Sequence, residues 1–560
     1  MEGGAPRRPL LKGRKPVRVG PGGANLASVS SPLVQPPAAL GQRRKGRTAS
    51  LARTLEFGWY AAALLFVAVA GLIRLDVPLH GDPALFLFYA GRLQDGFRLY
   101  VDFWDVKPPA IFAFYQLGGN LFGFTDRGVH ALEILWMMAL AVGLMVGLRP
   151  YLRQTWLAAV APVAIIGVFY ALCGAEAQTQ VETLANLPTL LCVLALARAA
   201  HPASARARYA ALAGIAAALT TVFKVIFAPI FIALVLVTSV AVLRRDWRRF
   251  FPEVVVRLWL PFSVGVALVW AVVFAAFAAQ GTAEAMLWTL FGYPREALTS
   301  MEYAPLKRML INLRMVFGAF APWLIFVVLA LPLLWRRGGP LIVRLMVTWL
   351  VAGFLVIVLQ RTSWWFYHFM LLLTPIGVLA TFGIDRATTF VRRRADLSPV
   401  QAMGIGCLLV LPAAGSLVGP LAETATWLAP VLSGEKPVES FKEKFENYAE
   451  ISAAAAFVRD QQAAGPVMVF ESPLVNLLSG RENATPIHGF NWSWILPRQY
   501  DETLSSLQAS PPPFVFVGTH YEERVRRLSP GVFDLLADRY RLAWESPFGR
   551  WYALTNPDTH

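Results

Sequence analysis

Unbroken apolar runs of membrane-crossing length alternate with short basic blocks along most of this chain. The clear runs are about Phe57–Ile73, Val129–Leu148, Trp156–Leu172, Thr183–Ala197, Leu258–Ala279, Met309–Trp335, Leu341–Leu359, Phe366–Ile384 and Ala402–Leu421. A run of roughly 20 apolar residues crosses a bilayer as one helix. Between Arg208 and Arg244 the apolar stretch is interrupted by Lys224 and Pro229. Basic residues flank both of its ends, so the positive-inside rule requires two short passes with Lys224 near the outer turn. The pattern predicts an all-α polytopic membrane protein of about eleven transmembrane helices, with its amino terminus inside and its carboxyl terminus outside. A β-barrel is excluded, because barrel strands give weak period-two segments and not continuous apolar runs.

Two outer segments are then long, Arg74–Gly128 and Gln280–Arg308, and the residues after Leu421 form a third. The transmembrane domain spans 57–421, with its chemistry expected in the first outer loop, 74–128. The tail, 437–560, changes character and reads as a small α/β extracytoplasmic domain. Pro466–Glu471 and Pro513–Gly518 look like buried strands ending in turns, and Arg550–Leu554 reads as a last strand. Ile451–Gln462 and Gly531–Tyr540 have helical spacing. No glycine-rich phosphate fingerprint follows either strand, which argues against a nucleotide. Residues 1–56 are rich in Arg, Lys, Pro and Gly and read as a disordered basic cytoplasmic tail, not a cleavable signal.

Composition agrees. Of 560 residues, 56% are hydrophobic and only 15% charged, too few charges for a soluble protein of this length. The formal net charge of +16 could suggest nucleic acid, but the basic residues collect between apolar runs, as topology demands. No nucleic-acid partner is expected. Cys173, Cys192 and Cys407 form neither a disulfide framework nor a metal motif.

The first outer loop carries the candidate chemistry. Asp82 lies just past the first span, and Ala84–Gln94 reads as an amphipathic helix along the membrane surface. Lys107 precedes Pro108 and Pro109, which direct the chain back into an apolar helix. A carboxylate and an ammonium at one lipid–water boundary suit transfer from a lipid-phosphate donor. Asp82 would take a proton from an acceptor hydroxyl, and Lys107 would hold the phosphate as charge develops on it. The plain alternative is that Asp82 caps a helix and Lys107 snorkels to headgroups.

The run Asp82, Tyr89, Gly96, Tyr100, Lys107-Pro108-Pro109 resembles the first outer loop of the GT-C superfamily of membrane glycosyltransferases. The branch it resembles groups bacterial relatives of protein O-mannosyltransferases, the lipid A aminoarabinose transferase and rhizobial galacturonosyltransferases. The segment Ala213–Lys224 is similar to a glycine-rich segment ending in Lys. Glu176 and Glu182 bracket an outer turn, and Trp364–Pro375 resembles the family's aromatic segment re-entering the membrane. The resemblance implies Asp82 as catalytic base and Lys107 as the donor-phosphate contact, with Tyr367 or His368 as an aromatic near that phosphate. Many members carry a second acid after the aspartate, where this chain has Pro83. Asp102, Asp105 and Glu176 are therefore candidate supporting acids.

Other residues admit two readings. Arg361 is either a phosphate-binding fork or an interfacial arginine. Asp102 and Asp105 could form a metal pair, but no further ligand cluster lies close in sequence, and neither a metal nor another cofactor is called for. Trp364 and Trp365 read as interfacial belt residues. Trp492 and Trp494 either pack the tail or line a sugar cleft. Two functions stay open. The first is a glycosyltransferase of the bacterial plasma membrane, using a polyprenyl-phosphate sugar and a lipid, glycan or protein acceptor by inverting single displacement. The second is a transporter or flippase of lipid-linked substrates. A transporter would set ionisable groups at mid-membrane on broken, repeated helices, whereas the readable charges here gather at the outer boundary.

Overall fold

The computed structural model describes residues 37–201, 203–243, 246–300, 303–336, 338–361 and 363–555. Helix α1 (Pro37–Ile73) begins inside the stretch for which disorder is expected, while residues 1–36 of that stretch lie outside the described residues. The first outer loop holds α2 (Asp82–Gln94) and α3 (Ala110–Phe122). Then follow α4 (Asp126–Leu148), the helical span α5 (Thr155–Leu172), α6 (Val181–Ala199), α7 (Arg206–Phe223) and α8 (Ala228–Leu243). The bundle continues with α9 (Leu260–Ala279), α10 (Leu306–Ala330), α11 (Leu341–Leu359) and α12 (Leu373–Arg394).

Among the described residues, 9 helices are long and apolar enough to cross a membrane. The pair α13 (Pro399–Gly415) and α14 (Val418–Leu432), which bends by 52°, makes a tenth if the two halves form one broken span. Pro420 lies four residues after Ser416, so its ring opposes the carbonyl that would continue the helix there. Helix α7 is the remaining expected pass. At 18 residues it matches α5 in length, but Arg206, Arg208, Tyr209, Thr220 and Thr221 hold its hydropathy down. The break foreseen at Lys224 is present, with its backbone extended (φ −160°, ψ 110°) between α7 and α8.

Helix α7 meets α9 at backbone distance. A Cβ on Gly214 would run into the Phe262 carbonyl, and one on Gly265 into that of Ala211. Small residues at such crossings let two backbones touch, which is how helices associate where no water drives them together.

The tail carries a four-stranded sheet in the order β1-β2-β4-β3. Strands β1 (Val467–Phe470) and β2 (Phe514–Gly518) run parallel, with Val467 opposite Phe514, and every residue of both is buried. Strand β4 (Gly549–Leu554) pairs antiparallel with β2 and with β3 (Tyr540–Ser546). Both anticipated buried strands and the last strand are present. Strand β3 is the element the pattern did not reveal, because it is an edge strand with Arg541, Leu542 and Ala543 all exposed. Helices α15 (Tyr448–Arg459), α16 (Leu474–Ser479), α17 (Pro497–Ala509), α18 (Thr519–Leu528) and α19 (Gly531–Arg539) accompany the sheet.

Candidate functional site

Helix α2 opens on Asp82, so its carboxylate sits at the positive end of the helix. Gly81 precedes it at φ 62°, a left-handed conformation that glycine adopts without strain. The Phe490 ring from the tail stands 3.7 Å from where a Gly81 side chain would begin. Residues Pro83–Ala90 are all buried. The expectation of an amphipathic helix on the membrane surface is therefore corrected: α2 is enclosed by α3 on one side and by α16 of the tail on another.

Lys107 is fixed at three points. Its N–H donates to Asp105 Oδ1 (2.7 Å), and its carbonyl accepts from the Tyr100 hydroxyl (2.7 Å). Its ammonium lies 3.0 Å from Asp82 Oδ2 and 5.4 Å from the centre of the Phe86 ring. Burial by itself would lower the lysine pKa, but the charges of Asp82, Asp105 and Glu182 raise it, so Lys107 remains an ammonium. The Tyr367 hydroxyl donates to the same Asp82 oxygen, also at 3.0 Å. The Asp82 and Lys107 side chains keep 12% and 16% of their surface open.

The structure thus brings Asp82, Lys107 and Tyr367 into direct contact, with Asp105 one bond behind. Asp105 is only 1% exposed, and burial pushes its carboxyl up against the pull of the Lys107 charge. His368 turns away from Asp82. Its ring meets Tyr367 edge-on (4.8 Å between centroids), and its Nε2 lies 3.8 Å from Glu182 Oε1. Glu176 is exposed and pairs with His80 at 3.6 Å.

Two candidates lie elsewhere. Asp102 is held by Arg98, four residues earlier, through the backbone N–H (2.7 Å) and the guanidinium (2.9 and 3.0 Å). It closes a surface turn, so Asp102 and Asp105 face different surroundings and do not converge as a pair. Arg361 is exposed, with its guanidinium 5.7 Å from the Tyr303 ring centre, and its carbonyl accepts from the Ala304 N–H. Trp364 is 9% exposed and caps the end of α11 through bonds to Ile357 and Val358, so it is no belt residue; Trp365 lies under the Arg308 guanidinium at 4.4 Å. Trp492 is fully buried against Phe470 and Tyr500, which resolves its two readings in favour of packing.

Sequence reasoning missed a second charged pair. Lys224 Nζ lies 2.6 Å from Glu182 Oε1, and the Glu182 side chain is 1% exposed. His368, 3.8 Å from Glu182, stands edge-on to Tyr367, so this pair borders the Asp82 site. The available signal was a lone lysine at a helix break and a lone glutamate opening α6, each in otherwise apolar sequence.

No family model matches the chain, and no curated protein does. Among solved structures, ArnT from Cupriavidus metallidurans in the apo state is similar with a TM-score of 0.61 at 14% identity, over 89% of this chain and 98% of that one. The same protein bound to undecaprenyl phosphate gives 0.59 over the same shares. AglB from Archaeoglobus fulgidus, in complex with an inhibitory peptide and a dolichol-phosphate, gives 0.46 at 13% identity, over 90% of this chain and 75% of that chain. The chain shares the polytopic helical membrane fold of the ArnT structures.

Proposed function

We propose that this chain is an integral-membrane glycosyltransferase that moves a sugar from a polyprenyl-phosphate carrier to an acceptor hydroxyl. The observation that carries the reading is the convergence of the Lys107 ammonium and the Tyr367 hydroxyl on one oxygen of Asp82, in a loop of a GT-C fold. The similar ArnT structure with bound undecaprenyl phosphate supports a polyprenyl phosphate as the carrier. In this reading the donor phosphate draws Lys107 and Tyr367 away from Asp82. The released carboxylate accepts the proton of the acceptor hydroxyl as its oxygen bonds the anomeric carbon. The bond from that carbon to the phosphate oxygen breaks on the opposite face, its electron pair goes to the phosphate, and polyprenyl phosphate leaves. The anomeric centre inverts. Lys107 stabilises the leaving phosphate, a contribution of the oxyanion-hole kind.

The basic blocks support an amino terminus in the cytoplasm of a bacterial cell and a catalytic loop and tail, 437–560, on the outer side of the plasma membrane. The acceptor is a hydroxyl on a lipid, glycan or protein. The alternative of lipid-linked transport draws some support from Glu182–Lys224 beside a helix break. That pair borders the Asp82 site, however, and so is readily part of the same transfer site.

The test is release of polyprenyl phosphate by the purified chain in nanodiscs, across a panel of polyprenyl-phosphate sugars with membrane extract as acceptor. Release that depends on Asp82 supports the transferase. Tight donor binding with no release for any sugar, together with donor movement across liposome membranes, supports transport instead.

A further inference from the structure

We infer that Asn491 of the tail is a positioning residue for the lipid-phosphate contact, acting on Lys107 through Asp105. The inference rests on the reading of Lys107 given above. Asn491 is 3% exposed, and its Nδ2 donates to Asp105 Oδ2 at 3.3 Å and to the Trp104 carbonyl at 3.5 Å. Asp105 in turn accepts the Lys107 N–H on its other oxygen, Oδ1. One buried carboxylate therefore joins a tail side chain to the backbone of the residue whose ammonium meets Asp82.

The rest of this contact keeps the two segments in register. The Trp104 N–H donates to the Pro486 carbonyl at 2.9 Å, forming a parallel bridge beside Ile487. The Trp104 indole also donates to Thr289 (3.2 Å), and the Tyr293 hydroxyl bonds the Trp494 carbonyl, so the segment before α10 joins as well.

The role of Asn491 follows from what Asp105 needs. A buried carboxylate stays ionised only where hydrogen bonds and opposite charge outweigh its desolvation. The groups facing Asp105 are Lys107, Asp82, Tyr89, Tyr100, Tyr293 and Asn491. Lys107 is the only cation among them, and Asp82 opposes ionisation. Without the Asn491 amide, Asp105 takes a proton more readily. A protonated Asp105 no longer supports the Lys107 charge and binds its backbone less firmly.

The experiment uses the full chain in nanodiscs and undecaprenyl phosphate as probe, with undecaprenol, which lacks the phosphate, as the control lipid and thermal melting as the folding control. Asn491→Ala weakens undecaprenyl phosphate binding by about tenfold or more, the scale of one hydrogen bond to a charged group, and leaves undecaprenol binding unchanged. Asn491→Asp, which sets two carboxylates face to face, weakens it further. The reciprocal pair Asp105→Asn with Asn491→Asp recovers part of the loss seen in Asn491→Asp alone, because the hydrogen bond re-forms with donor and acceptor exchanged while the charge sits farther from Lys107. This comparison also serves if Asn491→Ala does not fold. Wild-type binding by Asn491→Ala, an equal loss for both lipids, or no recovery in the reciprocal pair overturns the positioning role. Wild-type binding by Lys107→Ala overturns the phosphate role of Lys107 itself. A loss in Lys107→Ala with none in Asn491→Ala overturns the positioning role alone.

Discussion

Lys107 Nζ stands 3.0 Å from Asp82 Oδ2, although the two residues occupy opposite flanks of one loop and are 25 positions apart. In this arrangement each group neutralises the other. Sequence alone suggested separate tasks for a base and a phosphate contact. The pairing links them, because a phosphate that competes for the ammonium loosens its hold on the carboxylate. Arrival of the donor would then be what makes Asp82 available as a base.

Lys107→Ala is therefore expected to lower sugar transfer by roughly 10²–10³-fold, the scale of one lost electrostatic donor. Lys107→Arg recovers part of it, since the charge remains but the planar fork does not fit a site shaped for a point charge. The measurement is turnover of a labelled polyprenyl-phosphate sugar in nanodiscs. Wild-type turnover in Lys107→Ala would remove the lysine from the mechanism.

Asp82→Asn preserves shape and can still accept from Tyr367, so it is expected to abolish transfer while the chain still folds, at a lower thermal melt because Lys107 loses its paired charge. Asp102→Asn is the matched control. Its pair with Arg98 is exposed and screened by solvent, and transfer should stay near wild type. If Asp102→Asn proved the inactive variant and Asp82→Asn the active one, the base would have to be sought on the loop surface.

Glu471, at the end of β1, is 8% exposed, and burial pushes its carboxyl up to about 8, against the Ser472 backbone bond and the Arg524 charge. The folded protein then binds a proton that the unfolded chain gives up near 4.5. Stability from this group is complete below the unfolded value and is lost as pH rises through the folded one. The melting temperature of the full chain in detergent should fall between about pH 5 and 8. Glu471→Gln should flatten that slope, and an unchanged slope would show that Glu471 is ionised in the fold.

Breaking the Lys224–Glu182 pair should be costly. Lys224→Met leaves a carboxylate buried without its cation, expected to destabilise by about 3–5 kcal/mol. Adding Glu182→Leu should recover most of that loss, read as melting temperature. A single Lys224→Met variant that melts with the wild type would mean Glu182 carries no buried charge.

Topology offers a test independent of catalysis. A reporter inserted after Leu432 should be active only outside, and one at Arg248 only inside. The reverse result would turn the Asp82 loop toward the cytoplasm and away from any outer acceptor.

The spans were legible because their information is local. The run Leu341–Leu359 is bounded to the residue, and others extend past the apolar run, as where Phe366–Ile384 continues to Arg394, but Ala402–Leu421 is broken by the 52° bend between α13 and α14. Asp82 and Lys107 were legible as types in an otherwise apolar setting. Their contact was not, nor was the Tyr367 bond to Asp82 across 285 positions. Such contacts depend on helix packing, which leaves no periodic trace. Trp364 misled for a related reason: a tryptophan at a span end resembles a belt residue until its indole is seen to cap α11. Helix α2 misled because its polar positions gave no sign that the tail would cover it.

The backbone contact between Gly214 and Gly265 also sets a length. From Gly214 to Phe223 the chain climbs nine residue steps of α7, about 13.5 Å at 1.5 Å per residue, and Lys224 follows at once. The crossing clamps one end of that measure, and the Glu182 carboxylate receives the other. Inserting a single residue anywhere between them would rotate Lys224 by about 100° around the helix axis and lift it by about 1.5 Å. The ammonium would then leave Glu182. Substitutions along this stretch can be absorbed one at a time, but its residue count cannot change, so α7 works as a gauge that holds a charge at a set height beside the Asp82 loop.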